Sequence, residues 1–226
     1  MKRIISAVLL LAFILVIAAS CKTEGSKKMP SKEVPYKNAD GLTVTNHVEI
    51  EFEGFGTVTV ELYGENAPIT VKHFIELAKS GYYDGTKIIR VQKSFVIQGG
   101  QGAGAETIKG EFSSNGVDTG INHKRGTLSM ARQTANDTAS DQFFICLADS
   151  SASSLDGRYA AFGNVTEGMD VIDKLVSSIK DFSGTLVNGT YYVSDFGDYD
   201  QSSYGIQSGF LASDKYITII SVKITD

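Results

Sequence analysis

The stretch "HVEIEFEGFGTVTVELYG", His47 to Gly64, alternates apolar and polar residues along nearly its whole length. Val48, Ile50 and Phe52 share one face, and after Gly54-Phe55-Gly56 the residues Val58, Val60 and Leu62 share another. A repeat of two is the signature of a strand, because successive side chains leave a pleated backbone on opposite sides. Two such runs around a glycine-rich turn predict a hairpin with one buried face.

The pattern then changes period. In "NAPITVKHFIELAKSGYYDG", Val71, Phe74, Ile75 and Ala78 recur at helical spacing. Pro68 suits a first helical turn and Gly81 a stop, so one amphipathic helix is expected to cover the sheet. Short strands are expected around Lys87–Val91, Phe95–Gln98, Gly126–Met130, Phe143–Leu147 and Ala160–Gly163. "MDVIDKLVSSI" predicts a second helix with Val171, Ile172, Leu175, Val176 and Ile179 inward. "YITIISVKI", Tyr216 to Ile224, reads as a closing strand, buried on both faces or set in a barrel wall. Many short strands with two helices predict a mainly β protein, a closed antiparallel β-barrel capped by helices. The composition agrees: 226 residues with 23 glycines, 3 prolines and no tryptophan suit a turn-rich chain.

The first residues are of another kind. Lys2 and Arg3 precede an apolar run from Ala7 to Ala19 that small residues end, the pattern of a secretory signal over residues 1–20. Cys21 follows Ala-Ala-Ser as in a bacterial lipobox, so lipidation at Cys21 and anchoring to a bacterial membrane outside the cytoplasm are expected. Residues 21–40 are polar and aperiodic and read as a tether, leaving a domain over residues 41–226. With Cys21 lipidated, Cys146 has no disulfide partner and reads as a small buried hydrophobe. Loss of residues 1–20 removes Lys2 and Arg3 and no acid, which leaves 19 basic against 26 acidic side chains, a balance of −7. That argues against a nucleic-acid partner.

Three stretches invite chemistry that their context does not support. "GQGAGA", Gly100 to Ala105, satisfies a dinucleotide-binding pattern, but the "ETIKGEF" after it has no helical period. "DFGDYD" gathers Asp195, Asp198 and Asp200, yet without the spacing of a calcium loop, so solvated loop carboxylates are the reading. His47, His73 and His123 are dispersed, with no metal-ligand spacing. Residues 181–214 are rich in Gly, Ser, Tyr and Asp and form an insertion too long for an ordinary loop.

"RVQKSFVIQGG", Arg90 to Gly100, carries a guanidinium and a carboxamide in an otherwise apolar strand, with a turn expected at Gln92–Ser94. This stretch, with "TIKGEF", "RGTLSMAR", "DQFFICLA", "LDGRYAAFGNV" and "MDVIDKL" in order, resembles the cyclophilin-type peptidyl-prolyl isomerases, nearest the bacterial branch. The resemblance covers roughly Val48 to Lys180 and the last strand. It implies a closed eight-stranded antiparallel β-barrel capped by two α-helices. It also implies cis–trans isomerisation of X–Pro bonds with no cofactor and no metal, which together with the signal segment would act on exported proteins. On matching positions Arg90, Phe95 and Gln98 would be catalytic; Val96, Phe144, Leu155 and Phe162 would take the proline ring, with Tyr159 where many members have histidine; and Ala131, Arg132 and Gln133 would pair with the peptide. Ser154 stands where some members carry tryptophan, so strong cyclosporin binding is not expected. The expected partners are proline-containing segments and a membrane reached through lipid, on a monomer. Two other readings stand beside catalysis: a module that binds proline segments without turning them, and a surface-interaction lipoprotein that uses the insertion.

Overall fold

A computed structural model describes residues 33–187, 190–202 and 208–226. Cys21, the signal segment and the first part of the tether lie outside the described residues. In chain order the elements are β1 (Tyr36–Lys37), β2 (Thr43–Val44), β3 (Asn46–Phe52), β4 (Gly56–Leu62), α1 (Pro68–Lys79), β5 (Lys87–Gln92) and β6 (Val96–Gly99). Then follow β7 (Thr127–Met130), β8 (Phe143–Cys146), α2 (Ala152–Leu155), β9 (Ala161–Glu167), α3 (Met169–Ser178), β10 (Ser183–Val187), β11 (Thr190–Asp195) and β12 (Ile217–Ile224).

Eight strands close a barrel in the order β12-β3-β4-β9-β7-β8-β6-β5, every pair antiparallel. Closure removes the unpaired edges that an open sheet would present. The opening hairpin runs in uninterrupted register from Asn46↔Leu62 to Phe52↔Gly56. Its six inward residues, Val48, Ile50, Phe52, Val58, Val60 and Leu62, are buried in the core they share with Phe74 and Phe162. α1 covers this core with Val71, Phe74 and Ala78, and α3 does so with Val171, Ile172 and Leu175.

Helix α1 lacks a side-chain cap at Ala67. The buried Glu111 supplies one from elsewhere in the chain: its carboxylate accepts the amides of Ile69 (3.1 Å) and Thr70 (2.8 Å) and the Thr70 hydroxyl (2.7 Å). A negative charge there meets both the orphan donors of the first turn and the helix dipole.

The barrel wall departs from the simple reading at three places. β12 is set in the barrel wall, the second of the two expected settings, with an irregularity: Ile219 and Val222 point inward while Ile220 is exposed, and a bulge between Ile219 and Ser221 shifts the register against β3. Structure also begins before residue 41. β1 pairs with β2, and the Tyr36 hydroxyl donates to the Glu61 carboxylate, so the end of the expected tether is docked on β4. Finally, Gly99 and Gly100 are required by close internal packing, which no alternation reports. A Cβ on Gly99 would sit 2.3 Å from the Lys87 carbonyl oxygen, and Gly100, at φ +89°, lies against Phe143 and Tyr83.

Candidate active site

The barrel has a second, smaller apolar cluster on its outer face. Within β8, Phe143 and Ile145 point into the core while Phe144 and Cys146 point outward. Val96, Phe144, Cys146 and Leu155 pack together there, with Phe95, Ala131 and Tyr159 against them. The segment after β8 folds over this cluster and is held by the Leu147 amide and the Ser151 hydroxyl, both donating to the Phe95 carbonyl (2.8 and 3.0 Å).

Arg90 comes to the edge of this cluster through a defect in β5. Ile88 pairs with Gly99 and Arg90 with Gln98, so Ile89 is an extra residue in the ladder. Strict alternation would put Ile88 and Arg90 on one face; the bulge sends Ile88 into the core and Arg90 outward. The turn at Gln92–Phe95, with Ser94 at φ 62° and the Phe95 amide donating to the Gln92 carbonyl, then places Gln98 directly across from Arg90.

The guanidinium is held on several sides. Nη1 donates to Gln98 Oε1 (3.0 Å), Nη2 donates to Gln92 Oε1, and Nε donates to the Ser208 carbonyl. Gln98 is itself fixed, since its Nε2 donates to Gln142 Oε1 at 2.9 Å. The Phe95 and Phe210 rings flank the cation at 5.8 and 5.7 Å from Cζ. An arginine so clamped loses little freedom when it meets a ligand.

A groove of about 350 Å³ runs between Arg90 and the apolar cluster. Arg90, Phe95, Val96, Gln98, Ala131, Arg132, Phe144, Leu155 and Tyr159 all line it. A shallower cavity continues past Gln98, Ala131 and Arg132 and is lined there by Gln133. Arg132 stacks between Phe112 and Tyr159 (5.1 and 4.9 Å) and donates to the carbonyls of Arg158, Gln133 and Thr134. Phe162 does not belong here. It is fully buried inside the barrel, 5.1 Å from the Phe74 ring, because its position on β9 faces inward. Ser154 is exposed beside the groove-lining Leu155.

Behind Phe144 lies a polar support that motif reasoning passed over. His123 stacks on the Phe144 ring with centroids 6.1 Å apart. Its Nδ1 donates to the Asp156 carboxylate (2.8 Å), and its Nε2 then accepts from the Ser129 hydroxyl (3.0 Å). Burial keeps the imidazole neutral, its pKa below the ordinary 6.5 although Asp156 pulls the other way. The order Ser-His-Asp resembles a hydrolase triad, but Ser129 is fully buried and reaches no substrate. Asp156 lies two residues before Arg158, in a motif whose local pattern carries no sign of this contact.

The other features stand apart from the groove. Asp195 pairs with Lys180, the Asp198 carboxylate accepts the Lys180 amide and Asp200 bonds Ser202, so these carboxylates close turns. The "GQGAGA" loop is tied by the Gly102 amide to Asp141 (3.2 Å) and by the Gly104 amide to the Tyr82 hydroxyl (2.8 Å), and no α-helix lies between it and β7. Sequence reasoning also missed Gln92, Gln142, Ser208 and Phe210. The first two become visible only once the register is known, and the last two sit in the insertion, whose sequence shows no period that would single them out.

Comparison with known proteins agrees with this geometry. The family model for cyclophilin type peptidyl-prolyl cis-trans isomerase/CLD matches residues 47–188, more than half of the chain. A peptidyl-prolyl cis-trans isomerase of Acinetobacter baylyi is 42% identical over 153 residues, 61% of this chain and 78% of that one. Peptidyl-prolyl cis-trans isomerase B of Escherichia coli is 38% identical over 133 residues, 53% of this chain and 78% of that one. The crystal structure of a Cryptosporidium parvum cyclophilin type peptidyl-prolyl cis-trans isomerase superposes with a TM-score of 0.60 at 25% identity, covering 80% of this chain and 98% of that one.

Proposed function

The chain belongs to the cyclophilin-type peptidyl-prolyl cis-trans isomerase family, and from that premise we propose that the Arg90 groove is where it turns X–Pro bonds. The single observation behind this assignment is the clamped guanidinium of Arg90 facing an apolar floor of Phe95, Val96, Phe144 and Leu155.

The chemistry follows from what resists rotation. Amide resonance holds the peptide bond planar with a barrier of about 18–20 kcal/mol. At the twisted state that resonance is gone, and the prolyl nitrogen becomes pyramidal with a localised lone pair. An N–H donor placed at that nitrogen and at the proline carbonyl is favourable in the twisted state and less so in either planar one, which is the condition for acceleration. Arg90 supplies the donor. Gln98, Gln92 and the Ser208 carbonyl hold it in place, so little reorganisation accompanies the reaction. The apolar floor grips the proline ring while the preceding residue swings, and Ala131 to Gln133 would align the peptide along the adjoining cavity. No nucleophile or proton transfer is required.

Export and lipid anchoring belong to the same reading. They rest on Lys2 and Arg3, the apolar run to Ala19 and Cys21. Among the described residues no helix is long and apolar enough to cross a membrane. Labelling cells with a radioactive fatty acid tests this directly: the wild-type chain should take up label and sediment with membranes, and Cys21→Ser should do neither.

The catalytic assignment is tested on purified residues 33–226 with a proline peptide followed by exchange NMR. Acceleration is expected, and Arg90→Ala should lower kcat/KM by roughly 10²–10³-fold, the usual cost of removing one preorganised donor. Full activity in Arg90→Ala would sink the assignment.

A further inference from the structure

Residues 181–214 were expected to be an insertion outside the common core, yet the chain returns from them directly to Arg90. β12 pairs with β5 only through Ile217↔Ile88 and Thr218↔Lys87. Beyond Ile88 the outer edge of β5 is taken over by the insertion's last residues. The Leu211 amide donates to the Ile89 carbonyl (2.9 Å), the Val91 amide donates to the Gly209 carbonyl (2.8 Å), and Arg90 bridges Phe210 in antiparallel fashion. The two hydrogen bonds bracket the arginine.

This strap is anchored and close-fitting. Leu211 is buried with Tyr199 in the main core, and the two residues bridge each other. Gly209, at φ +78°, lies flat on β5: a Cβ there would come within 2.8 Å of Gln92 Cα. Alternation along the strap therefore puts Leu211 inward and the half-buried Phe210 outward, where its ring faces the Arg90 guanidinium and lines the groove together with Ser208.

We propose that Phe210 is a specificity-determining residue that recognises an apolar side chain immediately after the substrate proline. The inference rests on the isomerase reading above. If Arg90 donates to the proline carbonyl, the next residue is bonded to that same carbonyl carbon and must leave the site beside Arg90. The wall there is Phe210. An apolar or aromatic side chain at that position gains contact with the ring, a glycine gains nothing, and an acidic one would compete for the guanidinium.

The test compares two peptides that differ only after the proline, Pro-Phe and Pro-Gly, by exchange NMR on residues 33–226. The wild-type chain should favour Pro-Phe in kcat/KM by roughly fivefold. Phe210→Ala should reduce that ratio to below about twofold, while Phe210→Leu, which keeps an apolar surface but loses the ring, should lower it to about half of the wild-type value. Thermal unfolding of both variants checks that the strap stays folded; Phe210→Leu serves as the measure if Phe210→Ala does not fold, with a ratio unchanged from wild type counting against the proposal. An equal rate on the two peptides in the wild-type chain, or an undiminished ratio in Phe210→Ala, overturns the proposal and leaves the isomerase reading intact. No acceleration of either peptide overturns both.

Discussion

At the scale of single residues, the site depends on how Arg90 is held more than on its charge. Lysine would keep the charge but not the planar fork that reaches Gln98, Gln92 and the Ser208 carbonyl together. Arg90→Lys is therefore expected to lose about 10²-fold in kcat/KM with a smaller change in KM, measured on the same peptides as Arg90→Ala. His123 makes a second prediction. Its native pKa lies below the unfolded value, so the unfolded chain takes up a proton first as the pH falls. The stability held by the neutral ring is complete above about pH 6.5 and declines below it, by no more than about 1.4 kcal/mol per pH unit. Urea midpoints measured from pH 8 to pH 5 should fall across that range, and His123→Gln should flatten the decline. These two residues also mark how far the site was legible. Arg90 and Gln98 announced themselves as a polar pair in an apolar strand, whereas Phe162 had the right neighbours in sequence and the wrong face of its strand. His123 acts only through Phe144, and no local pattern reports a contact between residues that far apart.

Elements carry the fold through caps, bulges and close approaches that have no periodic signal. The β3–β4 hairpin and both long helices could be read because their burial follows a strict period of 2 or 3.6. The bulge at Ile89 could not, since one extra residue looks like any other apolar position in a strand. The cap on α1 was equally silent: Glu111 lies far from Thr70 in sequence. Glu111→Ala should cost about 1–3 kcal/mol by leaving the first-turn amides and the Thr70 hydroxyl without their acceptor, with faster hydrogen exchange at Ile69 and Thr70. Gly99→Ala should cost about 1–3 kcal/mol in chemical denaturation, because the new methyl would force β5 and β6 apart beside the arginine. The insertion is the largest element that the sequence left blank. Its composition shows no period, while its returning residues Gly209–Leu211 continue the barrel wall by backbone hydrogen bonds that most side chains permit.

On the scale of the whole molecule, one closed barrel carries two apolar assemblies, the core within and the groove cluster outside its wall. Neither draws on a disulfide among the described residues, where Cys146 is the free cysteine. Residues 33–226 should accordingly unfold at the same temperature with and without a thiol reductant. Cys146 bears on the chemistry of the groove wall. It stands directly behind the groove cluster, yet it is fully buried, and burial pushes its thiol up to about 12, so the reactive thiolate is scarce at neutral pH. Under the proposed export, a chain still forming its own cross-links would meet a workbench whose sulfur takes no part in the exchange.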